Sequence, residues 1–491
     1  MDTKKILPVV GWLAIPVIMF LSPPPEGLTT VAWHLAAFYV AAILGLILRP
    51  LPDAAVLFVT LGAYSLYQTG RVVIPAAERI NPGTADIVVS ASGVNLALSG
   101  YVTTTCWLVF AAFLVGRAFI DTNLGSRIAY VLIGKFGKTP LGLGYVAAFT
   151  DLAISPSTPS NTARTGGIIL PIFRSLSVTL GSEPGPTNRK FGAYICLLLH
   201  AISLTTATMW LTSNAVTLLA FNFARQIFEV NISWGTTALG AAPLGFVVLM
   251  FAPWFLYQIY KPSVTSIDNK SISQEGLAKL GPMSYREKML TVLFLGALTL
   301  WSTATITKID ATAVVVAFVG SLLFFRVVTW ETLVSEKSAW TTLMWYGGII
   351  SLSGGLARAE FFVWMADVLR KAVSFEGMGP VTIMLIITLL TLPTRYLFAS
   401  AAAFVGTMIP VMMTLAKIGD VPPMFATFVI HGSLFYFCLV THFGNAVSPV
   451  LFGAGYVDQK TWWILGLVMA AVFTTIHLSL GIPYWKMIGF W

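Results

Sequence analysis

The chain has 491 residues, of which 57% are hydrophobic and only 10% charged, and its formal net charge at pH 7 is +9. Soluble domains carry about 25% charged residues, so this composition excludes a soluble globular protein and indicates a chain that crosses a membrane several times. The Lys and Arg residues lie mostly beside apolar runs, which indicates orientation signals and gives no case for nucleic-acid binding. The three cysteines, at 106, 196 and 438, lie in apolar segments without metal-ligand spacing and exclude a disulfide framework.

The N-terminal region, 1–121, contains four apolar runs that predict helices. They cover 6–22, 30–48, 53–68 and 100–120, with a polar insert at 69–99 that we expect outside the membrane. The first run lacks a small-residue cleavage site, so we interpret it as a helix rather than a signal peptide. The basic, amphipathic stretch 122–138 is predicted to lie along the membrane interface.

Two short apolar arms then flank a polar stretch with two prolines, and we call the whole segment 139–180 the first hairpin. Each arm is shorter than the roughly 20 residues that a membrane span needs, so we expect the hairpin to be re-entrant. Its polar stretch, Ser155–Gly167, is the first tip. Unpaired backbone at membrane depth costs several kcal/mol per group, so such a tip should line a cavity. The alternative is a polar loop among the lipid headgroups.

A half-helix that begins at Asn161 or Thr162 would direct free N–H groups into this cavity, which favours a carboxylate or a phosphate. Arg164 adds a full positive charge in the first turn. We expect Arg164 to help neutralise a substrate or a neighbouring acid. The alternative is an ion pair with Asp151 in the opposite arm.

The segment 191–228 is apolar but too long for one span, and it is interrupted by Thr212-Ser213-Asn214, the first break. A helix at 233–260 and a hydrophilic linker at 261–288 follow.

The second half repeats this order: helices within 289–357, an amphipathic stretch at 358–374, a second hairpin at 379–417, and a run at 422–457 interrupted from His442 to Ser448, the second break. A last helix is predicted at 461–481. Interrupted segments at matching places in two halves indicate a transporter whose site lies between the halves.

The excess of Lys and Arg in alternate loops predicts a cytoplasmic N-terminus. In that orientation the two hairpins enter the membrane from opposite sides, so the repeats are inverted, as alternating access requires.

Polar groups at the tips and breaks are the candidate substrate ligands, because neutral donors on half-helices bind a multivalent anion reversibly. The alternatives are helix packing for the small residues and a packed ring for His442. Arg395 precedes the second tip and is expected either at the site or at the outer interface, whereas Arg117 is expected to be an interfacial anchor. No group of residues in the sequence resembles a nucleophile–base pair, so we do not expect the protein to be an enzyme. The candidate residues are Ser160, Asn161, Thr162, Arg164, Thr212, Ser213, Asn214, Ser400, His442, Asn445 and Ser448.

Three motifs carry a resemblance to a known family: Ser160-Asn161-Thr162-Ala-Arg164-Thr165-Gly-Gly, Thr441-His442-Phe-Gly444 and Ser448-Pro-Val-Leu-Phe-Gly-Ala-Gly455. Over nearly its whole length the chain resembles the divalent anion:sodium symporter family, and within it the exchanger branch of citrate/succinate, tartrate/succinate and 2-oxoglutarate/malate antiporters. The resemblance implies a homodimer in the lipid of a bacterial inner membrane, with eleven helices and two hairpins per protomer. It also implies scaffold helices in 1–121 and 289–357, arm helices at 122–138 and 358–374, and transport halves 139–260 and 379–491 that move as an elevator.

Symporters of this family carry Ser-Asn-Thr at both tips, and each motif helps to hold a sodium ion. Here the second tip, 398–402, has Ser400-Ala401-Ala402 in place of this motif and so lacks two oxygen donors. The resemblance therefore implies a sodium-independent exchanger of di- or tricarboxylates without a cofactor, in which Arg164 and His442 replace the sodium charge. A sodium-coupled symporter, with sodium at Ser155, Ser160 and Asn161, is the alternative. An intramembrane enzyme with His442 or Asp151 as base is the alternative from another class.

Overall fold

The computed structural model describes residues 3–68, 93–398 and 400–491. Over these residues the chain is all-helical, without a β-strand, as the composition predicts for a polytopic membrane protein. Of the polar insert predicted at 69–99, residues 69–92 lie outside the described residues.

The first half comprises α1 (Thr3–Leu21), α2 (Thr30–Leu48), α3 (Asp53–Gln68), α4 (Gly93–Ala97), a 3-10 turn (Ser99–Val102), α5 (Thr104–Asp121), α6 (Leu124–Phe136), α7 (Pro140–Ile154), a 3-10 turn (Ser155–Ser157), a π-helix (Thr162–Ile169), α8 (Leu170–Thr179), a 3-10 turn (Asn188–Lys190), α9 (Gly192–Met209), α10 (Ala215–Phe228) and α11 (Trp234–Ile259).

The second half comprises α12 (Asn269–Leu280), α13 (Tyr285–Ser302), α14 (Ala304–Thr307), α15 (Ala311–Phe324), α16 (Trp330–Val334), α17 (Lys337–Arg358), α18 (Phe361–Ala372), α19 (Pro380–Arg395), α20 (Ala401–Ile418), α21 (Pro423–Tyr436), a 3-10 turn (Phe437–Leu439), α22 (Ser448–Phe452) and α23 (Gln459–Met487).

Six of the described helices are long and apolar enough to cross a membrane, or seven if α17 and α18 count as one bent span. Among the helices of the hairpins and broken runs, α7, α8, α10, α19 and α21 are shorter, as expected for segments that stop at membrane depth, whereas α9 and α20 are among the six that are long enough to cross. The number of eleven crossings stays a prediction. The arm helix α18 turns by 67° from the axis of α17, so it leaves the direction of the span that precedes it.

The helix α9 lies at the centre of the fold, and every one of its residues is buried. It packs against α7 and α8 of the first hairpin, against α11, and against α21 and α22 of the second broken run. A separate group packs around α17, which contacts α2, α3 and α5. The two groups meet where α20 of the second hairpin packs on α2 and α10.

The segment 261–288, expected to be a hydrophilic linker, contains the helix α12, which packs on the arm helix α6. Asn269 Nδ2 donates to Gly134 O over 2.7 Å, and Ser273 Oγ donates to Tyr130 O over 2.8 Å. The sequence did not predict this helix, because its residues are polar and its contacts are hydrogen bonds rather than an apolar stripe.

Candidate functional site

The first tip is organised around the side chain of Asn161, which is 2% exposed. Its Oδ1 accepts hydrogen bonds from Arg164 Nη2 over 3.3 Å and from Asn214 Nδ2 over 3.1 Å. Its Nδ2 donates to Ser203 O of α9 over 3.2 Å. One amide therefore joins the first tip to the first break and to the central helix.

The second part of the first tip, from Thr162, forms a π-helix rather than an α-helix, and this π-helix ends at Ile169. Pro171 has no N–H to donate, and its ring would clash with the carbonyl four residues earlier, so the wider turn accommodates it. Ser160 begins this segment, because its Oγ accepts from Ala163 N over 3.2 Å. The hydroxyl groups of Ser160 and Thr162 are half-buried and line a cavity described below.

Arg164 is fully buried and bound entirely by protein groups. Its Nε lies 3.0 Å from Asp151 Oδ2, so the structure has the ion pair that the sequence offered as the alternative. Its Nη1 donates to Thr158 O of the tip over 2.8 Å and to Ser213 O of the break over 3.3 Å. With no exposed surface, the guanidinium does not reach the cavity in this conformation.

Asp151 is also fully buried and accepts from two hydroxyl groups besides Arg164. Thr165 Oγ1 donates to Asp151 Oδ1 over 2.8 Å, and Thr206 Oγ1 donates to Oδ2. Because both oxygens of the carboxylate are satisfied, Asp151 acts as the counter-charge of Arg164 and is not placed as a general base.

The hydroxyl groups of the first break are also used by the fold. Thr212 Oγ1 donates to Pro156 O and accepts from Trp234 Nε1 over 3.2 Å. Ser213 Oγ donates to Ala207 O over 2.8 Å. Asn214 caps α10, because its Oδ1 accepts from Val216 N over 3.0 Å. The break is therefore rigid, and its three candidate side chains position the tip rather than face a cavity.

The second break contains buried polar groups without a protein partner. Asn445 Oδ1 accepts from Val447 N over 3.3 Å, but its Nδ2 has no partner, and neither does Thr441 Oγ1. Both residues are at most 5% exposed. Buried donors without partners are the groups that a bound ligand can satisfy.

Ser448 and His442 make specific contacts at the same break. Ser448 Oγ lies 2.8 Å from His200 Nε2 of α9. His442 Nδ1 accepts from Trp463 Nε1 over 3.0 Å, and the imidazole packs against Phe452 with ring centroids 4.5 Å apart. Because Nδ1 is an acceptor, the proton of a neutral ring lies on Nε2.

The second tip repeats part of the first. Ser400 Oγ accepts from Ala403 N over 3.3 Å, three residues onward as at Ser160. Arg395 is 1% exposed, so it does not reach the outer interface. It donates to Phe398 O of the tip and Gly444 O of the break, and both Nε and Nη2 lie 3.3 Å from Cys438 Sγ. No carboxylate among the described residues pairs with it.

The first tip and the second break contact neighbouring turns of α9. Asn161 bonds to Ser203, and Ser448 bonds to His200, three residues earlier on the same helix. Val450 of α22 also packs over the first half, because a Cβ added at Gly166 would lie 3.3 Å from its Cγ1. The structure thus places residues of the first tip and of the second break against the same helix.

A cavity of about 210 Å³ opens beside the first tip. It is smaller than the roughly 300–1,000 Å³ of sites for drug-sized ligands and suits a small anion. Arg117 and Glu336 also line it, although the sequence indicated Arg117 only as an interfacial anchor. Arg117 lines this cavity because α5 packs beside segments that are distant from it in the sequence. The polar lining residues are Arg117, Thr158, Ser160, Thr162, Glu336 and Ser338.

Two of the three oxygens considered for a sodium ion, Ser155 Oγ and Asn161 Oδ1, are hydrogen-bonded within the protein in this structure. Ser155 Oγ donates to Leu152 O over 3.0 Å and accepts from Trp210 Nε1, while Asn161 Oδ1 already accepts two hydrogen bonds. A hard cation needs several free oxygens around one point. The carbonyls of Thr158 and Ser213 are bound by Arg164 instead.

Two hairpins packed with two interrupted helices, one of which contains the buried helix α9, define a class, the polytopic transporter with half-helices at its centre. The chain belongs to the family described as the sodium:sulfate symporter transmembrane region, the divalent anion:sodium symporters, whose profile matches residues 3–491. It is a membrane transporter and not an enzyme.

The chain is similar over its whole length to named bacterial proteins. It is 40% identical over 491 residues to the inner membrane protein YbhI of Escherichia coli K12, covering 100% of this chain and 99% of that protein. It is 34% identical to the putative malate transporter YflS of Bacillus subtilis 168, with 99% and 97% covered. It is 31% identical to an L-tartrate/succinate antiporter of E. coli UTI89, with 97% of each chain covered.

The fold is also similar to that of a solved transporter. The crystal structure of Alcanivorax borkumensis YdaH, described as having an unusual topology, superposes with a TM-score of 0.54 over 89% of this chain and 97% of that one. At 13% identity this likeness concerns the fold alone.

Proposed function

We propose that this protein exchanges di- or tricarboxylate anions across a bacterial inner membrane without sodium. The observation that carries the proposal is the meeting of the first tip and the second break at α9, beside a cavity lined by the hydroxyls of Ser160 and Thr162. Relatives named as a putative malate transporter and an L-tartrate/succinate antiporter support this class of substrate.

Neutral donors favour a carboxylate that must be released again. Ser160 and Thr162 of the first tip line the cavity, and in the second break the buried Nδ2 of Asn445 is a donor without a protein partner. Hydrogen bonds between neutral donors and a charged acceptor contribute about 1.5–3 kcal/mol each. A few of them hold a dicarboxylate reversibly, whereas several free arginines would bind it too tightly for turnover.

Independence from sodium is supported by the two buried arginines. Each fixed guanidinium donates to one tip carbonyl and one break carbonyl, which are the kind of oxygen that a sodium ion needs. The protein thus keeps a guanidinium at both tips whether or not substrate is bound, balanced by Asp151 at the first tip and without a carboxylate partner among the described residues at the second. A carrier of this kind is suited to exchange, and a sodium-coupled symporter is the alternative.

The proposal includes an elevator movement of 139–260 with 379–491 relative to a scaffold formed by 1–121 and 289–357. The separate packing of helices around α9 and around α17, and the arm helices α6 and α18 between them, support this division. A homodimer held through the scaffold and a cytoplasmic N-terminus belong to the same proposal. The inner membrane is supported by the similarity to YbhI.

The proposal is tested by binding to the purified protein in detergent. We expect one or more small di- or tricarboxylates, and no monocarboxylate of the same length, to raise the midpoint of thermal unfolding in buffer that contains choline instead of sodium. Stabilisation that requires sodium would favour the symporter. No stabilisation by any carboxylate in either buffer would contradict the proposed substrate class.

A further inference from the structure

Arg117 of α5 has an incompletely bound guanidinium. Its Nη1 lies 3.7 Å from Glu336 Oε2, and its Nη2 lies 3.7 Å from Asp121 Oδ1. Charge-assisted N–H···O bonds are about 2.7–2.9 Å long, so neither contact is a hydrogen bond. Its Nε is buried and has no partner.

The two carboxylates beside Arg117 are occupied by other groups. Asp121 Oδ2 accepts from Arg286 Nη2, and Glu336 Oε1 accepts from Ser338 N at the start of α17 over 3.2 Å. Arg286 in turn donates to Val327 O. Arg117 therefore has N–H groups that no carboxylate of this charge cluster binds through a hydrogen bond.

Arg117 shares its cavity with the hydroxyls of the first tip. Ser160 and Thr162 line the cavity from the first tip, and Arg117 and Glu336 line it from α5 and from the segment before α17. The side chain of Arg117 is 33% exposed and that of Glu336 is 15% exposed, so a solute can reach the pair.

We infer that Arg117 binds one carboxylate of the substrate while the first tip binds another, and that Glu336 competes with the substrate for Arg117. The inference rests on the proposed function. The Glu336 carboxylate lies on the side of Nη1, where a substrate carboxylate would pair with Arg117, so the two carboxylates compete for the same guanidinium. A substrate with at least two carboxylates spans the cavity, whereas a monocarboxylate satisfies only one wall.

The test measures the KM and maximal rate of exchange in liposomes for a dicarboxylate and for the monocarboxylate of equal length. We expect Arg117→Gln to raise the KM for the dicarboxylate about tenfold with little change in the maximal rate, because one charged contact is lost. Arg117→Lys should restore part of the affinity. Glu336→Gln should lower the KM severalfold, because the competitor loses its charge.

The double variant Arg117→Gln/Glu336→Gln separates competition from a structural effect. If Glu336 acts through Arg117, the double variant has the KM of Arg117→Gln, so the two changes are not additive. Lys337→Gln is the matched control, because Lys337 is exposed next to Glu336 and does not line the cavity, and its KM should stay unchanged.

An unchanged KM in both Arg117 variants, with exchange intact, would overturn the inference and leave the proposed function standing. So would a Glu336→Gln effect that persists without Arg117. Absence of carboxylate exchange by the unmutated protein would overturn the proposed function and this inference with it.

Discussion

Arg164 and Arg395 make the same pair of backbone contacts in the two halves of the protein. Arg164 binds Thr158 O of the first tip and Ser213 O of the first break, and Arg395 binds Phe398 O of the second tip and Gly444 O of the second break. The side chains that contact the two guanidinium groups differ. Arg164 has the carboxylate of Asp151, whereas Arg395 has the thiol of Cys438.

The first prediction concerns the charge of Asp151. Asp151→Asn leaves the guanidinium of Arg164 buried without a counter-charge, which costs about 3–5 kcal/mol of unfolding free energy. Unfolding of purified variants in denaturant measures the loss. Asp310→Asn, at an exposed helix cap where Asn serves equally well, is the control and should leave the stability unchanged. Equal stability of the two variants would contradict the structural role of the ion pair.

The second prediction concerns Cys438. Cys438→Ala removes the acceptor of two buried N–H groups of Arg395 and should lower the unfolding free energy by about 1–3 kcal/mol. Cys196→Ala is the control, because that cysteine is buried too but accepts from no arginine among the described residues. The comparison isolates the lost acceptor from the lost volume. A larger loss at Cys196 would count against the pairing of Arg395 with sulfur.

The third prediction concerns the hydroxyl of Thr162. Thr162→Val keeps the shape of the side chain and removes one donor from the cavity, so exchange should fall about tenfold or more while the unfolding midpoint stays the same. Thr162 is a better probe than Asn161, because the amide of Asn161 makes hydrogen bonds to three other residues. Removing that amide would also destabilise the fold. Thr179→Val, on the same hairpin but exposed, is the control. Full activity of Thr162→Val would remove this hydroxyl from the site.

The fourth prediction tests the elevator. Ile43 of α2 and Gly406 of α20 lie on opposite sides of the proposed sliding surface, and a Cβ at Gly406 would be 2.7 Å from Ile43 Cδ1. Cross-linking Ile43→Cys with Gly406→Cys should stop exchange, and a reductant should restore it. The pair Gly166→Cys with Val450→Cys lies within the moving part, and because Gly166 belongs to the first tip, its exchange rate after cross-linking is compared with that of the same variant before cross-linking, from which it should not differ. The native cysteines are buried and stay in place.

Activity of the cross-linked Ile43–Gly406 pair would contradict movement at this surface. Loss of activity in both cross-linked pairs would place the movement elsewhere, within the transport halves.

The fifth prediction concerns pH. Burial alone would raise the pKa of Glu287, but hydrogen bonds from Arg127 and Ser284 hold it below its usual value. A carboxylate with a lowered pKa stabilises the folded state fully above its unfolded pKa of about 4.3 and loses this effect as the pH falls through the folded pKa. The difference in unfolding midpoint between the native protein and Glu287→Gln should therefore shrink on acidification below about pH 4. A difference that grows with acidification would contradict the ion pair.

Much of the fold follows from the sequence, because apolar runs and caps are local signals. The helices predicted at 30–48 and 53–68 have those bounds, and the arms of the first hairpin and the first break lie where predicted. The partners of buried polar groups are not local. The ion pair of Arg164 with Asp151 remained one of two alternatives, and the pairing of Arg395 with Cys438 was not anticipated.

The residues that line the cavity could also be predicted only in part from the sequence. Thr162 was a candidate because it lies at a tip, whereas Thr212 and Ser213 were candidates by the same rule and are used by the fold instead. Arg117 and Glu336 are more than two hundred residues apart, so only the packing of α5 against α17 brings them together.

Exchange in liposomes of purified protein tests the central claim most directly. Vesicles with and without internal succinate or tartrate are placed in labelled dicarboxylate, in potassium or choline buffer and again in sodium buffer. The account predicts rapid uptake only into loaded vesicles, at the same rate in every buffer. Uptake that needs sodium and is indifferent to the internal anion would contradict it.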